Sequence, residues 1–153
     1  MATVAQLAKS VKAAKHVYLC GNGGSAANAI HIANDLIACR IKAHALTADV
    51  ATLTAIANDY SYAEVFSQQL KSQAIDRDGL LVISGSGNSA NVIAVLERAR
   101  FLKVRTMGLL GFGGGLAAPL CDVAVVLDSS EYGPVEVAHD ACIHLLKDLL
   151  SRT

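Results

Sequence analysis

Two short apolar runs in this chain each end in a loop of glycine, serine and asparagine, and a helical segment follows each loop. Residues 16–20 lead into Gly21-Asn22-Gly23-Gly24-Ser25, and residues 80–83 lead into Ser84-Gly85-Ser86-Gly87-Asn88-Ser89. Neither run alternates polar with apolar residues, which is typical of strands that are covered on both faces. The repeated order of covered strand, tight loop and helix therefore predicts a parallel sheet between helices.

The remaining segments alternate in the same way and bring the predicted number of strands to five. Strands are predicted at 16–20, 44–47, 80–83, 104–110 and 122–127. Helices are predicted at 3–14, 25–38, 49–57, 63–73, 90–102 and 135–150. Asp49 is expected to cap its helix, and Pro119 and Pro134 fall at element boundaries, where proline is tolerated. The pattern predicts one α/β domain, residues 1–153, a flavodoxin-like αβα sandwich with strand order 2-1-3-4-5.

Composition and charge exclude several classes of function. Acidic and basic residues balance at 13 each, so no charge footprint for nucleic acid or an anionic membrane is visible. No apolar run approaches the roughly 20 residues of a membrane span, and the first residues lack the apolar core of a signal peptide. The four widely spaced cysteines are expected to be buried free thiols. We therefore expect a cytoplasmic protein. Its apolar content, at 53%, is high enough to leave apolar surface for subunit contacts.

The two glycine- and serine-rich loops are predicted to face one crevice. They follow the first and third strands, which are neighbours at the point where the predicted strand order reverses. Ligands of such sheets bind at that point, beyond the carboxyl ends of the strands. Free N–H groups and the positive end of a helix dipole suit an anion there, most simply a phosphate. For one loop alone, it is equally plausible that the serines bind no anion and only cap the following helix. The presence of a second such loop weakens this alternative.

Neither loop is a nucleotide-binding motif. The glycine spacing in residues 21–25 is not G-x-G-x-x-G, and no acidic residue closes a suitable second strand. The Lys-Ser/Thr ending of a Walker loop is also absent from this segment. No nucleotide cofactor is expected.

The helix after the first loop carries a polar stripe on an otherwise apolar background. Asn28, His31 and Asp35 lie at i, i+3 and i+7, which places them on one helical face. His31 and Asp35, one turn apart, can meet at one ligand or metal ion. The alternative for His31 is a buried histidine with satisfied hydrogen bonds.

The last helix is interrupted by polar residues in a comparable way. These residues are Glu136, His139, Asp140 and His144. Glu136 and His144 are about 80° apart around the helix axis, so both can lean to one side. His139 points roughly 140° away from His144, so the two histidines are expected to differ in role. His139 could equally face solvent or another subunit.

These segments, taken in order, resemble the sugar isomerase (SIS) domain family and are most similar to its phosphoheptose isomerase branch. The matching features are C-G-N-G-G-S at 20–25, His31, Asn58-Asp59, S-x-S-G-N-S-A-N-V at 84–92 and H-x-x-x-x-H at 139–144. The resemblance covers the chain from Val17 onwards. It implies a homotetramer with sites at subunit interfaces. It also implies the isomerisation of sedoheptulose 7-phosphate to D-glycero-D-manno-heptose 7-phosphate, a step towards heptose and lipopolysaccharide.

The resemblance further implies roles for individual residues. It implies that four serines bind the phosphate: Ser25, Ser84, Ser86 and Ser89. It implies that the sugar part of the substrate is bound by Asn22, Gly23, Asn58 and Asp59. Asp35 is implied as the catalytic base and His144 as the catalytic acid. Some family members bind zinc, one ion per subunit, and the corresponding ligands here are His31, Asp35, Glu136 and His144.

This sequence departs from the family pattern at four of these positions or their neighbours. Asp35 replaces a glutamate, which withdraws the carboxylate by one methylene, and a shift of that order can lower a rate ~10²-fold. Glu136 replaces a glutamine and adds a charge that favours a divalent cation. Gly85 replaces a threonine, and Gly133 replaces an aspartate that contacts the sugar. The first helix of the family is also mostly absent, which bears on the tetramer packing.

The resemblance implies a mechanism in which base and acid act on an enediol while the phosphate is held at a distance. Two other functions remain open at this point. The chain could be a phosphosugar-binding regulator or a protein-interaction module without catalysis, or an isomerase of another sugar phosphate. Binding without conversion would distinguish the first alternative, and the depth of the pocket decides the second.

Overall fold

The structure, a computed structural model, describes residues 2–152 and has one parallel sheet between two layers of helices. The strands are β1 (Val17–Cys20), β2 (Ala43–Ala45), β3 (Gly79–Ser84), β4 (Arg105–Leu110) and β5 (Val123–Val126). The helices are α1 (Val4–Ala13), α2 (Gly24–Ala38), α3 (Val50–Asp59), α4 (Ser67–Gln73), α5 (Ala90–Phe101) and α6 (Tyr132–Ser151). The order β2-β1-β3-β4-β5 confirms the predicted topology.

The central strand β3 shows why this sequence forms a covered sheet. All 6 of its residues are buried. Leu81 and Ile83 pack into the apolar cluster beneath α1, α2 and α6. Leu80 and Val82 pack into the cluster beneath α4 and α5. A strand with two apolar faces is stable only between two helical layers. The polar loop that follows β3 therefore lies at the carboxyl end of the central strand.

The predicted helix at 63–73 is interrupted and this prediction was wrong in part. A 3₁₀ turn covers Tyr62–Glu64, and α4 begins only at Ser67. The Glu64 carboxylate accepts hydrogen bonds from the Ser67 hydroxyl and the Gln68 amide. These local side-chain hydrogen bonds stabilise the bend. The spacing of apolar residues could not predict them, because the groups involved are polar.

Three further boundaries or burial predictions differ from the structure. β2 lies at Ala43–Ala45 and not at 44–47, because the Ala48 N–H already donates to the Ala45 carbonyl in a turn. α6 begins at Tyr132, three residues early, since Pro134 fits in a first turn whose N–H groups are unpaired anyway. The cysteines are free, but only Cys20 is buried, and the other three are half-buried.

Two smaller expectations agree with the structure. Asp49 caps α3, because its carboxylate accepts a hydrogen bond from the Thr52 N–H at 3.1 Å. Among the described residues no helix combines the length and the apolar character needed to cross a bilayer.

Candidate active site

The loops after β1 and β3 lie side by side because the two strands are paired, with Cys20 opposite Val82. α2 begins directly after the first loop and α5 directly after the second. Gly23 ends the first loop with a φ of 56°, a left-handed conformation that glycine adopts without a steric penalty. The free N–H groups of both helix starts therefore converge on one place.

The two loops and the start of α6 line a cavity of about 160 Å³. Five predicted substrate-binding residues line it: Asn22, Ser25, Ser84, Ser86 and Ser89. The other lining residues are Ile83, Gly85, Tyr132 and Glu136. A small polar cavity at two helix starts suits a phosphate group. A larger cavity of about 460 Å³ lies beside β5, but no hydroxyl or imidazole lines it.

The serine hydroxyls of the second loop have different bonds. Ser84 Oγ accepts a hydrogen bond from the Gly87 N–H at 3.0 Å, and Ser86 Oγ accepts one from the Asn88 N–H at 3.2 Å. Both bonds shape the loop. Ser89 precedes α5 but forms no side-chain capping bond. Helix capping therefore does not explain Ser89, whose hydroxyl can bind a ligand.

The first loop is held by a residue that the sequence analysis missed. Asn22 and Asn91 exchange two side-chain hydrogen bonds, at 2.8 and 2.9 Å, and the Tyr62 hydroxyl donates a third to Asn22 at 3.0 Å. Asn91 is buried in the first turn of α5. A buried asparagine among apolar residues was the available signal, since such a group needs a partner.

The other predicted sugar-binding residues lie outside this cavity. Gly23 is exposed beside it. Asn58 and Asp59 end α3, are exposed, and are hydrogen-bonded to each other at 2.9 Å. Their roles towards the sugar stay predictions.

The first two turns of α6 bring a carboxylate and an aromatic ring to the cavity. A methyl group added to Gly24 would lie 3.2 Å from Glu136 Oε1, so this carboxylate lies against the start of α2. A methyl group added to Gly85 would lie 3.0 Å from the Tyr132 ring, so Gly85 leaves room for that ring. Glu136 thus presents a negative charge to a cavity that otherwise suits anions.

Two turns further along α2 and α6, the structure brings three predicted site residues together. The rings of His31 and His144 are 5.4 Å apart between centroids, edge to face. His31 Nε2 lies 3.5 Å from Asp35 Oδ2. Both histidines are exposed, whereas Asp35 is buried. His31 is therefore not the buried core histidine of the alternative interpretation.

Lys147 completes this group and was not predicted from the sequence. Its Nζ lies 2.7 Å from Asp35 Oδ1. The hydrogen bond to Asp35 and the charge of its carboxylate raise the pKa of Lys147. Asp35 Oδ2 has no hydrogen-bond partner in the described part of the chain. The only sequence signal was the spacing of Lys147, one turn after His144 on the same helix.

The four predicted zinc ligands do not gather into one donor set. Among residues 2–152 no group of three or more histidine, cysteine, aspartate or glutamate side chains is placed to hold a metal ion. Glu136 lies against Gly24, while His144 follows about 12 Å further along α6. One oxygen of Asp35 is already bonded to a cation, Lys147. As they are placed, these residues do not fit zinc, which stays a prediction of the resemblance.

His139 and His144 have different surroundings, as the helical spacing predicts. His139 is 0% exposed, so it faces neither solvent nor, in this fold, another subunit. Burial lowers the pKa of His139, and the Leu110 backbone, Glu136 and Asp140 oppose this effect less strongly. His139 is accordingly a neutral core residue, whereas His144 is exposed beside His31.

Comparison with known proteins connects this arrangement to named relatives. Residues 1–111 match the SIS domain family. The phosphoheptose isomerase of Helicobacter pylori is 41% identical over 143 residues, which cover 89% of this chain and 74% of that protein. The phosphoheptose isomerase of Trichlorobacter lovleyi is 39% identical and covers 99% of this chain and 82% of that protein.

Solved structures agree with these sequence comparisons. A phosphoheptose isomerase from Neisseria gonorrhoeae superposes with a TM-score of 0.94 at 34% identity, over 98% of this chain and 85% of that one. The Francisella tularensis phosphoheptose isomerase gives a TM-score of 0.93 at 31% identity, with the same coverage of both chains.

Proposed function

The chain belongs to the SIS domain family, and on that premise we propose that it is an aldose–ketose isomerase of the phosphoheptose isomerase type. Its substrate is sedoheptulose 7-phosphate and its product is D-glycero-D-manno-heptose 7-phosphate. The names of its relatives and the two-ended site between α2 and α6 support this function.

The observation that carries the proposal is that α2 links both ends of the site. Ser25, in its first turn, lines the 160 Å³ cavity that suits a phosphate (the anion cavity). Asp35 lies ten residues later, about 15 Å along the axis. Both residues are buried on the side of the helix towards α6 and the sheet. A bound molecule with a phosphate at one end and a carbonyl at the other spans such a separation when it is extended.

The proposed reaction moves one proton between neighbouring carbons and one between their oxygens. The Asp35 carboxylate removes the proton from the carbon beside the carbonyl, and His144 gives a proton to the carbonyl oxygen. The resulting enediol collapses when Asp35 returns the proton to the other carbon and His144 takes one from the other oxygen. Positioned proton transfer of this kind contributes ~10²–10⁴-fold to a rate. No step is routed through a metal, because among residues 2–152 the predicted ligands are not gathered for one.

Binding of the phosphate holds the reacting carbons of the sugar in place. Ser25, Ser84, Ser86 and Ser89 surround the phosphate, and the starts of α2 and α5 add free N–H groups. Binding energy from this remote group is used to orient the sugar at Asp35.

We also propose a homotetramer with sites at subunit interfaces. Apolar side chains are exposed on α2 and α6, the helices that carry the two site histidines: Ile30, Ile37, Val137 and Leu145. A partner subunit that covers them would shield His31 and His144 from water and thereby strengthen the electrostatic interactions of the site. A cytoplasmic location is proposed on the composition of the chain, and a role in supplying heptose for lipopolysaccharide on the family resemblance alone.

Turnover of sedoheptulose 7-phosphate tests the proposed function directly. We expect the wild type to produce the aldose phosphate, and Asp35→Asn and His144→Ala to lose about 10²-fold or more in kcat. Asn34→Ala, an exposed change on the same helix as Asp35, is the matched control. Equal activity in all four proteins would contradict the assigned roles.

The alternatives correspond to other outcomes of the same experiment. Binding of the sugar phosphate without any conversion would identify a phosphosugar-binding regulator. Faster conversion of a pentose or hexose phosphate would keep the isomerase mechanism but change the substrate.

A further inference from the structure

We propose that Lys147 is a positioning residue of the active site, whose ammonium supplies beside Asp35 the positive charge that a zinc ion would otherwise supply. The inference rests on the proposed function, because Asp35 is the base of that reaction. It assigns a role to a side chain outside the family motifs and replaces the expected metal by a residue of this chain.

The contact differs from an ordinary surface ion pair. Lys147 Nζ lies 2.7 Å from Asp35 Oδ1, and the Asp35 side chain is only 5% exposed, compared with 42% for Lys147. Exposed ion pairs contribute little because water screens both charges. Here the carboxylate is removed from water, so the ammonium is its main source of compensating charge.

The pairing fixes the orientation of the Asp35 carboxylate. Oδ1 is held by Lys147, while Oδ2 is buried and has no hydrogen-bond partner among the described residues. Oδ2 instead points towards His31, at 3.5 Å from Nε2. A carboxylate fixed through one oxygen keeps the other in a single orientation, which is the requirement for a base that must reach one proton.

Lys147 and His144 come from the same face of α6. They are one turn apart, so the helix delivers the proposed acid and the positioning cation to Asp35 together. The shorter side chain of Asp35 withdraws the carboxylate towards α2, and the long side chain of Lys147 reaches it there from α6. The aspartate in place of glutamate and the lysine therefore belong to one arrangement.

The same geometry disfavours a divalent ion at Asp35. An ion bound at Oδ2 would lie close to the Lys147 ammonium and would be repelled by it, without bulk water between the two charges. It would also lack Glu136, whose carboxylate lies at the start of α2. The two observations are independent, and both oppose the zinc site that the resemblance predicts.

Zinc binding tests the inference without any substrate. Wild type, Lys147→Arg, Lys147→Met and the double variant Asp35→Asn/Lys147→Met are dialysed and titrated with Zn²⁺ in a calorimeter, with elemental analysis of the retained metal. We expect little retained zinc in wild type and Lys147→Arg, and at least about tenfold tighter binding in Lys147→Met. The double variant should lose that gain. The double variant also removes the buried negative charge that Lys147→Met alone leaves unpaired. It should therefore fold even if Lys147→Met does not.

Kinetics test the positioning role. Lys147→Met should lose about 10–100-fold in kcat with little change in KM, and Lys147→Arg should recover part of the loss. Lys71→Met, an exposed change on α4, should behave as the wild type. Retention of one zinc per chain by the wild type, unchanged zinc affinity in Lys147→Met, or unchanged kcat in Lys147→Met would each overturn the proposal. If the wild type turns over no sugar phosphate, the proposed function fails, while the zinc titration still decides the role of Lys147.

Discussion

Asn22 and Asn91 join the loop after β1 to the first turn of α5 through two reciprocal hydrogen bonds, at 2.8 and 2.9 Å. The pair satisfies the amide of the buried Asn91 and fixes Asn22 at the wall of the anion cavity. The shape of the anion cavity therefore depends on a contact between a loop and a helix that are far apart in the sequence.

Replacing Asn91 with leucine should loosen the first loop. The substitution leaves the Asn22 amide without its partner, and an unsatisfied group of this kind costs about 1–3 kcal/mol. We expect a lower free energy of unfolding and a higher KM for the sugar phosphate, with kcat much less affected. Urea unfolding and steady-state kinetics measure the two effects. A variant with normal KM would show that the pair has only a structural role.

Glu136→Gln should strengthen phosphate binding. The change keeps the shape of the side chain but removes a negative charge from the cavity, so we expect Kd for the sugar phosphate to fall by up to about tenfold at low salt. Asp140→Asn, an exposed change one turn later on α6, is the control. Weaker binding in Glu136→Gln would indicate that the carboxylate binds the ligand instead of repelling it.

Ser89→Ala should separate ligand binding from folding. Because Ser89 forms no side-chain capping bond, its loss should leave the melting temperature nearly unchanged. A hydrogen bond to a charged group contributes about 1.5–3 kcal/mol, so KM for the sugar phosphate should rise roughly 10–100-fold. Thermal unfolding and kinetics on the same preparation check both expectations, and a destabilised protein with normal KM would contradict them.

The exposed apolar residues of α2 and α6 should hold subunits together. Ile37 is 58% exposed there, and an aspartate at this position would bring a charge into the proposed interface. We expect Ile37→Asp to shift the protein from a tetramer to smaller species in light scattering after gel filtration. Ile75→Asp, which changes a residue 56% exposed outside these helices, should leave the assembly intact. A wild type that is monomeric would refute the tetramer itself.

Stability should fall in mild acid because of His139. Burial lowers its pKa below the ordinary value of 6.5, so below that pH the unfolded chain takes up a proton that the folded chain does not. The free energy of unfolding therefore decreases as the pH drops through this range, by at most about 1.4 kcal/mol per pH unit for one group.

His139→Leu should flatten this dependence without abolishing it. Burial also lowers the pKa of His16, which contributes to stability in the same direction and is retained in the variant. Urea unfolding of both proteins between pH 5 and 7 gives the comparison. An identical slope in the two proteins would mean that His139 titrates alike in the folded and unfolded chains.

The sheet and the anion cavity could be predicted because their signals are local. Apolar runs, loop glycines and the serines at 84–89 act within a few residues, and the strand order follows from general rules for parallel sheets. The bonds of Asn22 with Asn91 and of Asp35 with Lys147 join residues 69 and 112 positions apart. No periodicity along one helix reports such contacts, since they depend on how two elements pack side chain against side chain.

The break before α4 was missed for a related reason. The apolar spacing there continues across the bend, while the groups that hold it are polar and specific to this place, chiefly the Glu64 carboxylate. The position of Glu136 was also not predictable, because spacing on α6 gives a direction around the axis but not the end of the side chain.

In the proposed function, the single helix α2 between the anion cavity and Asp35 acts as a ruler for the bound sugar phosphate. The distance between phosphate and reacting carbon is set by the number of residues from Ser25 to Asp35, each adding about 1.5 Å, and no loop has to close to define it. A sugar one carbon shorter would leave its carbonyl short of the carboxylate. Selection for chain length is then a property of helix register. Inserting one residue into α2 between Ser25 and Asp35 would both lengthen the ruler and turn Asp35 about 100° away from Lys147.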